Sequence, residues 1–216
     1  MNRFVIFGAG EFLADCYEPR QGDYLLAADG GYAHLKAMGL EPDGILGDFD
    51  SLGYVPPDAR VFPTEKDDTD SMLAVRLGLE MGCRDFLLLG CLDGKRLDHT
   101  LANLQTLLFL ASHGARGYLV GETYLVTAAF REELVFPETC RGILSLFCMG
   151  EPASGVCIRG LKYPLEGGTL TADFPLGVSN RFLGQESRIS VREGVLLVMW
   201  DRENGMPRRC FEEETA

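Results

Sequence analysis

Aspartates are concentrated in four motifs of this chain, each placed where a predicted β-strand or its following loop ends. The motifs are Asp29-Gly30-Gly31, Gly47-Asp48-Phe49-Asp50-Ser51, Lys66-Asp67-Asp68-Thr69-Asp70 and the stretch 90–99, which contains Asp93, Lys95, Arg96, Asp98 and His99. Ligands of open α/β sheets bind at the carboxyl ends of the strands. We therefore expect one edge of a sheet to collect these carboxylates and to form a binding site.

A cluster of carboxylates at one sheet edge predicts a bound cation. Like charges that are packed together repel each other unless a positive ion compensates them. Carboxylate oxygens suit Mg²⁺, which in such sites usually also contacts substrate phosphates. Asp48 and Asp50 would share one face of an extended backbone, so they could hold one ion or bracket two. A single Asp at such a place more often caps a turn, but four acidic motifs in register favour a site.

Lys66 and Arg96 are the basic candidates for binding phosphate. Arg presents a two-pronged fork to phosphate oxygens, and Lys presents a point charge. Either side chain could instead form a surface ion pair with a neighbouring Asp. Clustered carboxylates together with these cations predict an enzyme that uses Mg²⁺ to move phosphate from a nucleotide onto a small molecule.

Two of the acidic motifs run into predicted helices. Thr69 or Asp68 can cap the first helix, so Asp70 could simply be a favourable charge in its first turn. His99 lies at the start of the second helix. It could hold the loop by a hydrogen bond, with Asn103 one turn later as its partner, or it could contact substrate.

The periodicity of apolar residues divides the chain into two parts. In the first part, apolar segments alternate with helical patterns, which predicts a mostly parallel sheet with flanking helices. The second part contains short strands separated by turn residues, which predicts an antiparallel β-sandwich. We therefore expect an α/β catalytic domain over residues 1–132, which carries the acidic motifs and the expected Mg²⁺ site, followed by a β-sandwich domain over residues 133–216.

Two local expectations concern helix packing and the chain end. The second long helix is predicted to bury a stripe formed by Leu101, Leu104, Leu108 and Ala111. The charged segment 208–214 is predicted to be a frayed, solvated tail.

Composition limits the partners and the compartment. The chain has 216 residues and a formal net charge of −12. Nucleic-acid binders hold phosphate backbones with clustered Lys and Arg, so we expect no nucleic-acid partner. We also expect no membrane partner, because no stretch approaches a signal peptide or a membrane span. Seven scattered cysteines without a CxxC pair favour the reducing cytoplasm.

Several familiar motifs are incomplete. Gly8-Ala9-Gly10 follows a predicted strand, but residue 13 is Leu where a dinucleotide fingerprint requires Gly. The stretch 90–96 is one residue short of a P-loop, and Arg96 replaces its Ser or Thr. The histidines lack zinc-ligand spacing, and residues 177–181 lack the closing Gly of a nucleophile elbow. Neither a zinc site nor a covalent serine mechanism is supported.

Taken together, the motifs resemble those of the thiamine pyrophosphokinases, also called thiamine diphosphokinases. Besides the acidic motifs, the resemblance is carried by Ala28-Asp29-Gly30-Gly31, Pro42-Asp43, Arg96-Leu97-Asp98-His99-Thr100-Leu101-Ala102-Asn103, Gly160-Leu161-Lys162-Tyr163-Pro164-Leu165 and Val178-Ser179-Asn180. Each motif alone is weak, but their order and spacing over nearly the whole chain are highly specific. Lys95 departs from the pattern, because many members have Gly there.

The resemblance implies transfer of the β,γ-pyrophosphoryl unit of ATP to the hydroxyl of thiamine, with release of AMP. The metal-binding and catalytic positions so implied are Asp48, Asp50, Asp70 and Asp98. The implied cofactor- and substrate-binding positions are Asp29, Gly30, Lys66, Thr69, Arg96, His99 and the thiamine-contacting pair Ser179 and Asn180. Either Asp70 or Asp98 could serve as the base. The resemblance also implies a homodimer, with thiamine bound where the catalytic domain of one subunit meets the sandwich of its partner.

Other functions remain open at this point. A Mg²⁺-dependent phosphohydrolase, or a pyrophosphokinase acting on another small alcohol such as a pterin, would use the same acidic edge. Product analysis separates them, because only pyrophosphoryl transfer yields AMP together with a diphosphorylated acceptor. A non-enzymatic thiamine-binding protein is disfavoured, since it would have no reason to retain the clustered carboxylates.

Overall fold

The computed structural model of the chain describes residues 3–50, 52–63 and 67–211. The chain divides into two compact units, Met1–Glu122 and Thr123–Ala216. The first unit contains β1 (Arg3–Phe7), β2 (Asp23–Ala28), α1 (Gly31–Ala37), β3 (Gly44–Gly47), β4 (Arg60–Val61), α2 (Asp70–Glu80), β5 (Asp85–Leu89), α3 (Leu97–Ser112) and β6 (Arg116–Val120).

The sheet of the first unit is parallel. Its strand order is β6-β5-β1-β2-β3-β4, and every neighbouring pair runs in parallel. In both β1 and β5 the last four residues are buried apolar side chains, as expected for strands covered on both faces. The chain leaves β1 toward β4 and then returns to the other side of β1 as β5. The topological switch point, where ligands of such sheets bind, therefore lies between β1 and β5.

The predicted start of α2 is confirmed at Thr69. The Thr69 side-chain oxygen accepts a hydrogen bond from the Met72 N–H at 3.2 Å, which satisfies one of the exposed donors of the first turn. The helix buries Ala74, Val75 and Gly78 against the sheet side. Within the described ranges, none of the helices is both long and apolar enough to cross a membrane.

The buried face of α3 differs from the predicted one. Leu101 is 47% exposed, so the predicted stripe is wrong at that position. The buried residues of α3 are Asn103, Thr106, Leu107, Leu110 and Ala111. The pattern was misleading because the leucines of α3 extend beyond its buried face and because polar Asn103 and Thr106, which donate to backbone carbonyls, occupy that face.

The second unit is antiparallel throughout its described strands. They are β7 (Tyr124–Ala129), β8 (Glu132–Phe136), β9 (Ile143–Cys148), β10 (Ala153–Arg159), β11 (Leu165–Leu170), β12 (Asn180–Arg181), β13 (Ser187–Val191), β14 (Leu196–Asp201) and β15 (Arg208–Phe211). They form the arrays β12-β9-β14-β7 and β11-β10-β13-β8-β15. The arrays pack together through rings such as Phe136 and Trp200, whose centroids lie 5.2 Å apart. The predicted β-sandwich is confirmed.

The predicted C-terminal tail is wrong as far as residue 211. β15 pairs antiparallel with β8. Arg209 Nε lies 3.0 Å from Glu132 Oε2, and both side chains are at most 5% exposed. Arg209 also donates to the Ala128 carbonyl at 2.7 Å. The sequence did not predict this strand because charged residues are usually exposed, whereas Arg209 is buried and paired with Glu132. Residues 212–216 lie outside the described part.

The division after Glu122 precedes the boundary expected after residue 132. The expected boundary lies inside β8. β7 pairs with β14 and so belongs to the second unit. The apolar segment of β7 resembles the buried strands of the first unit in composition, so the sequence pattern alone does not show where the second unit begins.

Candidate active site

Asp29 follows β2, and close backbone packing holds it at the sheet edge. Its φ of 50° lies in the left-handed region, which non-glycine residues seldom adopt. The Asp29 N–H donates to the Leu46 carbonyl at 2.8 Å. A Cβ at Gly47 would come within 2.9 Å of Asp29 Cα, so only glycine lets the ends of β2 and β3 approach this closely.

Asp48 and Asp50 converge, but not through the extended backbone that the sequence predicts. Phe49 between them has a φ of 60° and a side chain that is only 2% exposed. The Asp50 N–H donates to Asp48 Oδ1 at 3.3 Å. Buried Phe49 thus lies at a turn of the backbone, and the carboxylates on either side of it lie close together. Strained backbone of this kind is concentrated at functional sites.

Three carboxylates form the centre of the site. One oxygen each from Asp29, Asp48 and Asp50 lies within 4.8 Å of the others. Asp29 and Asp48 are partly buried, and Asp50 is exposed. Such a set of hard oxygen ligands fits a single Mg²⁺ ion, which keeps several waters beside a few carboxylates. In the part of the chain that the structure describes, this group includes Asp29, which the sequence assigns to cofactor binding, but neither Asp70 nor Asp98.

The cluster lines a cleft of about 570 Å³ within the first unit. The cleft lies at the switch point, between the loops that follow β1 and β5. The predicted site residues that line it are Asp29, Asp48, Asp50, Thr69, Asp70, Arg96 and His99. Gly30 and Asp98 are not among its lining residues. Lys66 lies outside the described residues, as does Ser51.

The loop of residues 8–11 is a wall of the cleft that the sequence analysis did not include. Gly8 N donates to the Leu89 carbonyl at 2.8 Å, and Gly10 N donates to the Gly90 carbonyl at 2.9 Å. His34 Nε2 lies 2.9 Å from the Gly10 carbonyl oxygen. These bonds fasten the loop to the end of β5 and to α1. Glycines directly after a first strand were a usable signal, although the dinucleotide fingerprint is incomplete.

Two carboxylates of the acidic motif before α2, those of Asp68 and Asp70, line the cleft in different surroundings. Asp68 pairs with Arg76, with 3.0 Å between Oδ2 and Nε. Asp70 is the first residue of α2 and lines the cleft. The helix N-terminus favours a negative charge there. Asp70 is therefore placed where it can face a bound substrate.

Arg96 is held by the carboxylate two residues further on. Its Nη2 lies 2.6 Å from Asp98 Oδ2, and its Nε lies 3.3 Å from Oδ1. The hydrogen bond from Arg96 lowers the pKa of Asp98. Asp98 in turn raises the pKa of Arg96, and the nearby charge of Asp50 adds a smaller effect in the same direction. A carboxylate with a lowered pKa is a weaker proton acceptor, so this geometry favours Asp98 as the partner that orients Arg96.

Of the two roles open for His99, the hydrogen bond with Asn103 is not formed. Asn103 is buried, and its Nδ2 donates to the Cys91 carbonyl at 2.8 Å. Thr100 Oγ1 donates to the Leu92 carbonyl at 3.1 Å. The first turns of α3 thus fasten the loop after β5, while His99 is exposed and lines the cleft.

The cleft also contains a thiol, Cys91. Burial raises its pKa to about 11, so it remains a neutral thiol near pH 7. Its Sγ donates to the Leu89 carbonyl at 3.4 Å. Since thiolates rather than thiols are nucleophiles, Cys91 is a packing residue of the cleft wall.

Ser179 and Asn180 lie in the second unit, next to a separate pocket of about 120 Å³ that is lined mainly by apolar residues. Asn180 is buried, and its side chain accepts from Tyr163 N at 2.9 Å and donates to Tyr163 O at 2.7 Å. Ser179 has a φ of 61°, and its N–H donates to Ser145 Oγ at 3.0 Å. Asn180 therefore fastens the Tyr163 segment to β12, whereas Ser179 is exposed on a strained turn.

Comparison with known proteins places both units in one family. The family model described as thiamin pyrophosphokinase, catalytic domain, matches residues 19–119. The model described as thiamin pyrophosphokinase, vitamin B1 binding domain, matches residues 133–196. The thiamine pyrophosphokinase of Bacillus subtilis (strain 168) is 25% identical over 183 residues, which cover 81% of this chain and 85% of that protein.

Solved structures agree with this assignment. The thiamine pyrophosphokinase of Bacillus subtilis has a TM-score of 0.81 at 22% identity and covers 93% of this chain and 99% of its own. The enzyme from Geobacillus thermodenitrificans has a TM-score of 0.77 at 26% identity, covering 92% and 96%. The protein from Candida albicans, at 14% identity and a TM-score of 0.71, covers 93% and 88% and shows the shared fold.

The chain belongs to the thiamine pyrophosphokinase family, whose members are enzymes that pyrophosphorylate thiamine using ATP. The resemblance inferred from the motifs is confirmed, and so is the α/β-plus-sandwich fold class. The protein is accordingly a transferase of thiamine diphosphate biosynthesis.

Proposed function

We propose that this chain is a cytoplasmic, Mg²⁺-dependent homodimer that transfers the pyrophosphoryl group of ATP to thiamine and releases AMP. The observation that carries the proposal is the convergence of Asp29, Asp48 and Asp50 in the cleft at the switch point. All seven cysteines are free, which supports a reducing compartment.

Asp29, Asp48 and Asp50 would hold the Mg²⁺ ion. When bound, the ion supplies charge neutralisation for the transferred phosphates and helps to orient them. Asp48 and Asp50 thus keep their predicted role, and Asp29 joins them. Asp70 and Asp98 take other roles, because one stands at the start of α2 and the other is bonded to Arg96.

In the proposed reaction, the hydroxyl oxygen of thiamine attacks the β-phosphorus of ATP. The bond between that phosphorus and the α,β-bridging oxygen breaks, and this oxygen leaves with AMP. The hydroxyl proton passes to Asp70, which lines the cleft, and from there to water. Arg96, oriented by Asp98, binds the phosphate oxygens through its guanidinium fork. Catalysis then rests on positioning and charge stabilisation.

Thiamine binding is assigned to the second unit. The match to a vitamin B1 binding domain over residues 133–196 supports this assignment. Ser179 has its side chain exposed and is the proposed thiamine contact. Asn180 is a positioning residue, because both polar groups of its amide are bonded to Tyr163. By the family resemblance, the catalytic domain of one subunit and the sandwich of the partner form each complete site.

Isotope labelling tests the reaction. We expect label from [γ-³²P]ATP to enter thiamine diphosphate and label from [α-³²P]ATP to be recovered as AMP. Label from the γ position in free phosphate, with α label in ADP, would instead mean that the acidic cleft hydrolyses ATP.

Mixing two inactive variants tests the shared site. Asp50→Asn impairs the catalytic domain, and a Ser179→Trp variant blocks the sandwich of the other subunit. If the site is shared, random exchange of subunits restores about a quarter of the wild-type activity, because half of the dimers contain one intact site. No recovery after demonstrated subunit exchange would contradict the shared site.

A further inference from the structure

Lys95 stands in the cleft beside Arg96 and is much less tightly bound within the protein. It lines the cleft, and its side chain is 93% exposed. Its ion pair with Glu11 spans 4.0 Å between Nζ and Oε1, and Glu11 is itself 71% exposed. Arg96, in contrast, lies 2.6 Å from Asp98. An exposed pair at 4.0 Å contributes little to stability and is readily exchanged.

The charge of the cleft makes such a cation important. The carboxylates that line it are Glu11, Asp29, Asp48, Asp50, Asp68, Asp70 and Asp93. Among the described lining residues, Lys and Arg are represented only by Lys95 and Arg96. A polyphosphate that enters this cleft is repelled by the carboxylates over about one Debye length, roughly 8 Å at physiological salt. Each exchangeable cation therefore has a large influence on nucleotide affinity.

We propose that Lys95 binds the triphosphate of the nucleotide substrate, exchanging its contact with Glu11 for phosphate oxygens. The proposal rests on the proposed function, in which ATP occupies this cleft. The lysine ammonium is a point charge with rotatable donors on a flexible stem, which suits a mobile polyphosphate. At the preceding Gly94, the position of a Cβ is 4.0 Å from the nearest other heavy atom, Gly10 Cα, so packing leaves this part of the loop room to adjust.

The main rival role is a latch, in which Lys95 and Glu11 hold the loop of residues 8–11 in place. Two observations speak against it. The loop is already fastened by the bond from Gly10 N to the Gly90 carbonyl and by the contact of His34 with the Gly10 carbonyl. The ion pair itself is long and exposed. Under our proposal Glu11 competes with phosphate for Lys95, whereas in the latch it cooperates with Lys95.

Steady-state kinetics of Lys95→Gln with ATP, Mg²⁺ and thiamine test the proposal. We expect the KM for ATP to rise about tenfold. This factor corresponds to the loss of one charge-assisted hydrogen bond at the weak end of the energy range of such bonds. The KM for thiamine and kcat should stay within about twofold. The matched control is Lys36→Gln, which breaks an exposed pair with Glu41 outside the cleft lining and should leave both KM values unchanged.

Two further measurements separate the roles. Binding of inorganic tripolyphosphate, measured by calorimetry, should weaken in Lys95→Gln by a similar factor, since this probe has no base. Glu11→Gln should lower the KM for ATP or leave it unchanged. Unaltered tripolyphosphate binding in Lys95→Gln would overturn the proposal, and so would a rise in the KM for ATP in Glu11→Gln equal to that in Lys95→Gln. If the wild type binds tripolyphosphate through Lys95 but forms no thiamine diphosphate, the proposed function fails and the Lys95 assignment stands.

Discussion

Replacing Asp50 by Asn should stabilise the metal-free protein while it abolishes turnover. The substitution removes one negative charge and keeps the size of the side chain. At 4.8 Å, the limit within which the oxygens of Asp29, Asp48 and Asp50 lie, two unit charges repel by roughly 3.5 kcal/mol at a dielectric of 20 and by roughly 0.9 kcal/mol in bulk water. Because Asp50 is exposed, the value for water is the better guide, and salt screens it further.

The expected gain in the metal-free state follows from these values. Asp50→Asn deletes two repulsions and also the weaker attraction between Asp50 and Arg96, so after screening we expect a stabilisation of up to about 1 kcal/mol. For a chain of this size, that corresponds to a rise in melting temperature of about 2–4 °C. In the presence of Mg²⁺ we expect the wild type to have the higher melting temperature. Binding of the ion to the native state stabilises the wild type by mass action, whereas the variant has lost a ligand.

Thermal unfolding in EDTA and in Mg²⁺ measures both effects, and a product assay measures turnover. We expect kcat of Asp50→Asn to fall by about a hundredfold or more, since charge neutralisation by the ion contributes several kcal/mol. The control is Asp58→Asn, an exposed position outside the cleft whose φ of 59° suits Asn. Near-normal turnover of Asp50→Asn, or an unchanged response of its melting temperature to Mg²⁺, would refute the assignment of the metal site.

Three further substitutions have expected outcomes. Ser179→Ala should raise the KM for thiamine more than that for ATP in steady-state kinetics. Thr69→Ala removes the cap bond from Met72 N and should lower the free energy of unfolding by about 1 kcal/mol in urea titrations. Asp23→Ala breaks a nearly buried ion pair with Arg3 and should lower it by roughly 3–5 kcal/mol. Burial alone would raise the pKa of Asp23, but hydrogen bonds, first from Arg3, lower it overall. The loss of stability in Asp23→Ala should therefore be complete above the ordinary carboxyl pKa of about 3.9. It should shrink as the pH falls through the lower pKa that Asp23 has in the folded protein.

Each of these outcomes can fail in an informative way. An effect of Ser179→Ala confined to ATP would place its turn away from thiamine. An unchanged urea midpoint for Thr69→Ala would mean that α2 begins independently of its cap. A loss of stability in Asp23→Ala that persists unchanged at acid pH would show that packing, rather than the charge of Asp23, determines it.

The elements that could be predicted are those whose burial is uniform. β1 and β5 are continuous apolar runs. In the second unit, the turn residues between short apolar segments show where most of the strands lie. β15 could not be predicted, because the Arg209–Glu132 pair is buried by contacts between segments far apart in the chain. The face of α3 was misjudged for a related reason. Asn103 is buried only because the Cys91 carbonyl, on a different loop, accepts its hydrogen bond.

The same limit applies to the site. The sequence predicts that acidic strand ends meet, because parallel strands share an edge. It does not predict the left-handed backbone of Asp29 and Phe49. This backbone conformation determines which carboxylates come within 4.8 Å of one another. Nor does it distinguish Asp70, which lines the cleft, from Asp98, which binds Arg96. These differences arise from tertiary packing rather than from local pattern.

The most direct test of the central claim is ³¹P NMR of the purified protein with ATP, Mg²⁺ and thiamine, with thiamine omitted as the control. We predict that AMP and thiamine diphosphate appear in equal amounts and only when thiamine is present. ADP and free phosphate that appear with or without thiamine would contradict pyrophosphoryl transfer and indicate a hydrolase built on the same acidic cleft.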